Sequence, residues 1–480
     1  MKKDTAASLQ KRRLKEEKQL RRLTAQQSKG TYVGYFAVIL FLITFVNVID
    51  EVTSNLPNSL QSSYITEFFV TNGVFGKLYS YEEGLALHQS INVISYVFGI
   101  ITPFYKALAD RFGRKPLFAL STFGMSLGLL VTSIAPNYAV FLFGSALISF
   151  FMGHDMQIIY ILEVAPSDKR ARIYSLLKGI GIIGVVFVPM LRTLLMGNDA
   201  TQWRKVFFVP SLVGMFACLL VILFSRETKV FLEERIAYLS RPIEEREEER
   251  RLRKAQKQAD DKNHGVINAC KYIFIHKDTR ALIISHIVFD TAIASVGLYY
   301  ESAMHIAGMT TEQITNALFV LPIVYALQTI VSGIIADKFG RKNTICLFSC
   351  ICMVFYVLFA VGINNGWNAY LIGAFCGFYQ GGYWIGRDYM NIMMTEKVPT
   401  EIRASIVGAE GLLVTVGMAV GYLGMVVGIL VLPVYAACLV VALPTVGAAV
   451  ILLMRTVRET KGADLETVGK SEQRIENKNA

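Results

Sequence analysis

Ala109-Asp110-Arg111-Phe112-Gly113-Arg114-Lys115 returns later in the chain as Ala336-Asp337-Lys338-Phe339-Gly340-Arg341-Lys342, and each copy lies between two long apolar runs. Two further pairs keep the same order. Glu163, Pro166, Arg170 and Ala171 follow an apolar run in the pattern E-x-x-P-x-x-x-R-A, which Glu396, Pro399, Arg403 and Ala404 repeat; Arg226-Glu227-Thr228-Lys229 is matched by Arg458-Glu459-Thr460-Lys461. Three paired motifs at corresponding loops mark an internal duplication, the trace of a chain built from two equivalent bundles.

The runs around these motifs are close to the ~20 residues that a helix needs to cross a hydrocarbon core of ~30 Å. The first half reads as spans over 32–54, 85–108, 117–135, 138–164, 173–196 and 206–225; the second over 281–304, 314–336, 344–363, 369–395, 406–427 and 431–454. They lack the alternation of barrel strands, so their backbone groups must be satisfied within helices. The expected fold is therefore an all-α integral membrane protein, with twelve transmembrane helices in two pseudo-symmetric six-helix bundles. Composition agrees, because 53% hydrophobic against 18% charged residues is too apolar for an ordinary soluble chain.

The net charge of +11 is distributed in a way that excludes a nucleic-acid surface. Basic residues crowd the leader Lys2 to Lys29, the loops at Arg111 to Lys115, Lys169 to Arg172 and Lys338 to Lys342, and the segment after Arg226, while alternate loops such as Ile363 to Asn368 carry almost none. That asymmetry places both termini and the long connector in the cytoplasm of a multi-pass cell-membrane protein. The expected divisions are a basic leader at 1–30, a first bundle at 31–226, a charged connector at 227–277, a second bundle at 278–456 and a tail at 457–480. The leader reads as a solvated tail near anionic lipid and the connector as solvated helix or linker. Seven cysteines show neither a disulfide framework nor a zinc spacing, and no cofactor or metal is expected.

D-R-x-G-R-[RK], E-x-x-P-x-x-x-R and the R-E-T-K-G of Arg458 to Gly462 resemble the major facilitator superfamily, within it the sugar-porter-like and metabolite:proton symporter branches. Tyr299-Tyr300 resemble that group's paired tyrosines. The resemblance implies alternating-access transport by a monomer and a cytoplasmic gate formed by Asp110, Arg114, Glu163, Arg170, Asp337, Arg341, Glu396 and Arg403. Asp110 and Asp337 are suited to accept hydrogen bonds from helix N-termini. Lys106 stands where the loop signature usually opens on a small residue, the arginine that sugar porters carry early in the fourth span is missing, and Asp290 stands near their sugar-binding glutamines. These departures weigh against a sugar.

Ionisable groups inside apolar runs cost at least ~2.5 kcal/mol each at mid-membrane and so mark candidate function. Asn47, Asp50 and Glu51 lie in the first run, His154, Asp155 and Gln157 in the fourth, His286 and Asp290 in the seventh, Gln328 in the eighth, and Tyr379, Gln380, Tyr383, Trp384, Arg387 and Asp388 in the tenth. All but Asp50, Glu51 and His286 are candidate solute contacts. For proton coupling the resemblance favours Asp50, where Asn47 can hydrogen-bond the neutral acid, with Asp155 and Asp290 as alternatives. The expected function is proton-coupled symport of a small polar organic solute. Proton-driven export is the rival transport reading, although Gly181, Gly184 and Pro189 do not form the exporters' G-P-x-x-G-G element. A transporter-like sensor would bind without flux, and an enzyme would need a nucleophile or metal cluster that the scattered histidines do not form.

Overall fold

The computed structural model describes residues 6–28, 34–92, 112–152, 160, 163–164, 170–242, 245–246, 266–398 and 403–460. The first half contains α1 (Ala6–Ser28), α2 (Tyr35–Ser59), α3 (Gln61–Ile65), α4 (Tyr81–Asn92), α5 (Arg114–Ser133), α6 (Tyr138–Met152), α7 (Arg170–Gly184), α8 (Phe187–Leu191), α9 (Trp203–Phe224) and α10 (Lys229–Ser240). The second contains α11 (Val266–Ile275), α12 (Lys277–Asp290), α13 (Ile293–Gly297), α14 (Tyr300–Ile306), α15 (Thr311–Phe339), α16 (Arg341–Asn364), α17 (Ala369–Glu396), α18 (Arg403–Val431) and α19 (Val434–Thr456). Among the described residues no strand forms beyond an isolated bridge between Val74 and Lys77, and eight helices are long and apolar enough to cross a membrane. The runs expected as the second and fourth spans continue into residues outside the description.

The seventh run is discontinuous. α12 ends at Asp290, α13 carries the chain to Gly297, and α14 resumes at Tyr300. Backbone groups freed by such a break need partners in an apolar setting. Ala292 N–H donates to Phe289 O at 3.0 Å, and the Tyr356 hydroxyl donates to Ser295 O. α18 holds this broken segment through Gly417 and Gly421, whose missing side chains leave room for the carbonyl oxygens of Ile287 and Thr291; a Cβ at either glycine would lie 2.0 Å from those atoms. Small residues four apart are a common means of close helix approach in lipid.

The contacts fall into two compact units. One comprises 1–54, 95–184 and 207–258; its core gathers Ile39, Leu42, Ile43, Val46 and Ile49 of α2 with Phe118, Tyr160, Leu177 and Val221. The leader is not merely solvated: α1 packs Leu20 and Leu23 on Phe231, Leu232 and Leu239 of α10, and Glu16 pairs with buried Arg246 at 2.7 Å. The hydrophobic spacing that docks it is short and lies within a strongly basic stretch. The other unit comprises 55–94, 185–206 and 259–480. It thus includes the α2–α4 and α8–α9 connections, which by sequence belong to the first half.

Candidate functional site

The three duplicated motifs converge into one network in each half. In the first, Arg114 opens α5 after Gly113, and its side chain meets Glu163 with Nε–Oε1 and Nη2–Oε1 distances of 2.8 Å. Thr228 Oγ1 donates to the other oxygen of Glu163 at 2.6 Å. Glu227 accepts the backbone N–H of Arg114 at 2.8 Å, and Lys115 Nζ donates to the carbonyls of Ile222 and Ser225 at 2.8 and 2.6 Å. The second half repeats the pattern. Arg341 Nε lies 3.4 Å from Glu396, Thr460 Oγ1 donates to Glu396 at 2.5 Å, Glu459 accepts the N–H groups of Arg341 and Lys342 at 2.9 and 3.0 Å, and Lys342 Nζ reaches the carbonyls of Met454 and Val457.

The carboxylates at the two helix N-termini are therefore Glu227 and Glu459 of the R-E-T-K motifs. Asp337, expected in that role, is exposed and accepts only a 3.4 Å contact from Arg341 Nη1. The dipole end and its unsatisfied N–H groups attract whichever carboxylate the fold delivers, and the chain after α9 and α19 delivers these glutamates. Gly113 and Gly340 make the approach possible: both have positive φ, 106° and 94°, and a Cβ would fall 2.2 Å from Glu227 Oε2 or 2.5 Å from Glu459 Oε2. Burial raises the Glu227 carboxyl above its usual range, while the N–H groups of Arg114, Thr228 and Lys115 pull it back down. Asp110 lies outside the described residues, as do the side chains of Arg170 and Arg403.

The second unit also holds a charged cluster at the break of the seventh run. Asp290 is fully buried, and Arg387 of α17 grips it bidentately, Nε to Oδ1 at 2.9 Å and Nη2 to Oδ2 at 2.9 Å. The Tyr383 hydroxyl adds a 3.3 Å contact to Oδ1. One turn earlier, His286 places Nδ1 2.9 Å from Glu410 of α18, with its Nε2 3.8 Å from Asp290. Glu410 was not among the sequence candidates, and His286 was noted as ionisable beside Asp290 but given no role. Their signal was the one that singled out Asp290, an ionisable group in an apolar run.

Other candidates fall in different settings. Tyr383 stacks on Phe289 at 4.8 Å and Tyr379 on Tyr356 at 4.1 Å, so both rings are enclosed in the helix packing. Trp384 is half-buried beside Arg387, and Asp388 is exposed. Gln380 is buried with Nε2 on Cys376 Sγ, while Gln328 donates to Gly377 O at 2.9 Å. In the first unit Asn47 donates to Leu177 O at 3.0 Å, which joins α2 to α7; Asp50 is half-buried. His154, Asp155 and Gln157 lie outside the described residues. Among the described residues no histidine, cysteine and carboxylate group is arranged to hold a metal.

A second polar cluster was also unanticipated. Arg192, in the turn that continues α8, and Glu301 of α14 are buried 3.7 Å apart. Arg192 donates to Ser59 O and to Thr315 Oγ1, while Glu301 accepts from Ser62 N at 2.8 Å and Ser62 Oγ at 2.5 Å. Gln61, Ser302 and Tyr81 extend the chain of hydrogen bonds. Residues of both sequence halves thus share one buried network within this unit.

The Major Facilitator Superfamily profile matches residues 40–422. Among curated relatives, Multidrug resistance protein MdtG of Yersinia enterocolitica is 31% identical over 159 residues, which cover 31% of this chain and 38% of that one. Organic cation/carnitine transporter 6 of Arabidopsis thaliana is 23% identical over 65% of this chain and 60% of its own. The chain therefore matches less than two thirds of the length of these relatives. Among solved structures, a D-xylose-proton symporter superposes with a TM-score of 0.66 at 14% identity, covering 89% of this chain and 99% of its own. The inward open xylose transporter XylE from E. coli gives 0.63 at 15% identity, over 91% and 99%. The profile match along most of the chain, with the all-α fold that the solved structures share, establishes this multi-pass membrane protein as a member of the major facilitator superfamily.

Proposed function

We propose that the protein is a secondary active transporter that moves a small polar organic solute by alternating access, driven by protons in symport. The carrying observation is the Asp290–Arg387 pair at the break of α12 to α14. Discontinuous helices at mid-membrane are where transporters of this kind place their solute and ion sites, and a buried ion pair there offers a hydrogen-bonding donor and acceptor to a polar solute. Half-exposed Arg387 and Trp384 and buried Gln380 and Gln328 supply the contacts on this side, with Asn47, His154, Asp155, Gln157 and Asp388 as further candidates. The gate networks around Arg114 and Arg341 lie on the cytoplasmic face with both termini, in the plasma membrane, and the protein works as a monomer.

Purified protein in proteoliposomes, with an internal pH dye and separate panels of sugars, organic acids and amines, tests this reading. A solute that moves protons inward with itself is the expected result. Solute binding without flux would overturn transport in favour of a sensor. The similarity to MdtG and to organic cation/carnitine transporter 6 favours a second reading, proton-driven export of an organic cation or drug; there, protons and solute would move in opposite directions in the same assay.

A further inference from the structure

Four ionisable side chains meet at the break of the seventh run, and their charges do not balance. Arg387 and Asp290 form a closed bidentate pair. Glu410, buried on α18, has the neutral or charged imidazole of His286 as its nearest hydrogen-bonding partner, at 2.9 Å. With His286 neutral and Glu410 ionised, the cluster carries one net negative charge in a part of the protein where an uncompensated charge is expensive.

The orientation of the ring adds a second, independent observation. Its Nδ1 serves Glu410, and its Nε2 is buried without a hydrogen-bond partner, 3.8 Å from Asp290 Oδ1. If Nδ1 carries the only proton, the Nε2 lone pair faces a carboxylate. One added proton removes both problems. Either the imidazole becomes a cation between Glu410 and Asp290, or Glu410 becomes neutral and donates to Nδ1 while Nε2–H faces Asp290. In both arrangements the cluster is neutral, and every nitrogen–oxygen approach joins a donor to an acceptor.

Among the described residues of the helices packed on α12, the further charge beside this cluster is Asp388 of α17, which is exposed next to Arg387. α17 brings Tyr383 and Arg387, already counted, and α18 brings Glu410. α19 carries Tyr435, Cys438 and Arg455, of which Cys438 pairs with Tyr356 and Arg455 lies in the last turn; α11 carries Cys270, Lys271 and Tyr272, the last stacked on His276.

We propose that His286 and Glu410 together form a one-proton binding site and that this site, rather than Asp50, Asp155 or Asp290, holds the coupling proton. The inference rests on the proton-coupled reading, and its test separates the two. Asp290 then serves as the fixed counter-charge of Arg387, and a solute that engages Arg387 would loosen Asp290 and alter the proton's hold on its neighbour.

The test is pH-dependent infrared difference spectroscopy on the full-length protein in lipid without solute, paired with transport in proteoliposomes. In the wild type a protonated-carboxyl band and an imidazole band should titrate together. Glu410→Gln should abolish both, and should reduce pH-driven accumulation of the solute that moves protons with the wild type to a ratio of about one, while counterflow persists. Glu410→Asp should restore the coupled titration. If Glu410→Gln fails to fold, His286→Gln reads the same pair by a displaced titration of the carboxyl band, and an unmoved carboxyl band counts against the pair. Unchanged bands in the folded variants, or wild-type accumulation by Glu410→Gln, would overturn the proposal. A wild type that shows the bands yet moves no protons with any solute would overturn the functional reading and leave the proton site standing.

Discussion

Replacing Glu301 with Gln removes one charge from the buried pair with Arg192 while keeping shape and one acceptor. Both side chains are sealed from solvent, at 1% and 0% exposure, so water does not screen the loss. Breaking a buried pair by deleting one partner costs about 3–5 kcal/mol, because the surviving charge stays desolvated. Here Arg192 retains Ser59 O and Thr315 Oγ1, and the amide oxygen of Gln can still accept from Ser62 N. The low end, about 3 kcal/mol, is therefore the appropriate figure. It corresponds to a shift of roughly 150-fold between the state that holds this network and any state that opens it. Ala303, a buried neighbour at 2% exposure, reports on opening once it is changed to Cys in a background free of the native cysteines. In purified protein, Glu301→Gln should accelerate labelling of that cysteine about a hundredfold. The apolar double variant Arg192→Met with Glu301→Leu should label more slowly than Glu301→Gln, because no charge is left stranded. Equal labelling rates for wild type and Glu301→Gln would refute the view that the pair holds this state closed.

Gly340→Ala forces a positive φ on an L-residue and drives a Cβ to 2.5 Å from Glu459; it should slow transport severalfold or more at unchanged apparent solute affinity, measured as maximal rate against KM. Gly417→Val should cost folding itself, since even a Cβ would lie 2.0 Å from Ile287 O; the yield of monodisperse protein measures this, and wild-type yield would contradict the close helix approach. Asp50→Asn should retain pH-driven accumulation if His286 and Glu410 hold the proton; its loss with preserved counterflow would return that role to Asp50.

The duplication, the positions of the apolar runs and the motif loops were legible in one dimension, because hydropathy and short repeats depend only on neighbouring residues. Glu227 and Glu459 were visible as repeated residues, but not as the helix-end carboxylates that Gly113 and Gly340 admit. That role depends on where the chain returns after α9 and α19. Glu410 stood in plain view within an apolar run. Its partner His286 is 124 residues away, and which faces of α12 and α18 meet is decided by the backbone approach at Gly417 and Gly421.

Likewise, nothing local distinguishes Asn47 bonded to Leu177 O from Asn47 beside Asp50. The outcome depends on α7 approaching this face of α2, which it does with Gly181 against the Asn47 amide. The sequence by itself therefore determined the family, the bundle duplication and the list of costly buried polar groups. Only the tertiary structure decided which of those groups neutralise one another. In an apolar interior each must find a partner across helices, and helix packing alone sets which partners come within hydrogen-bond reach.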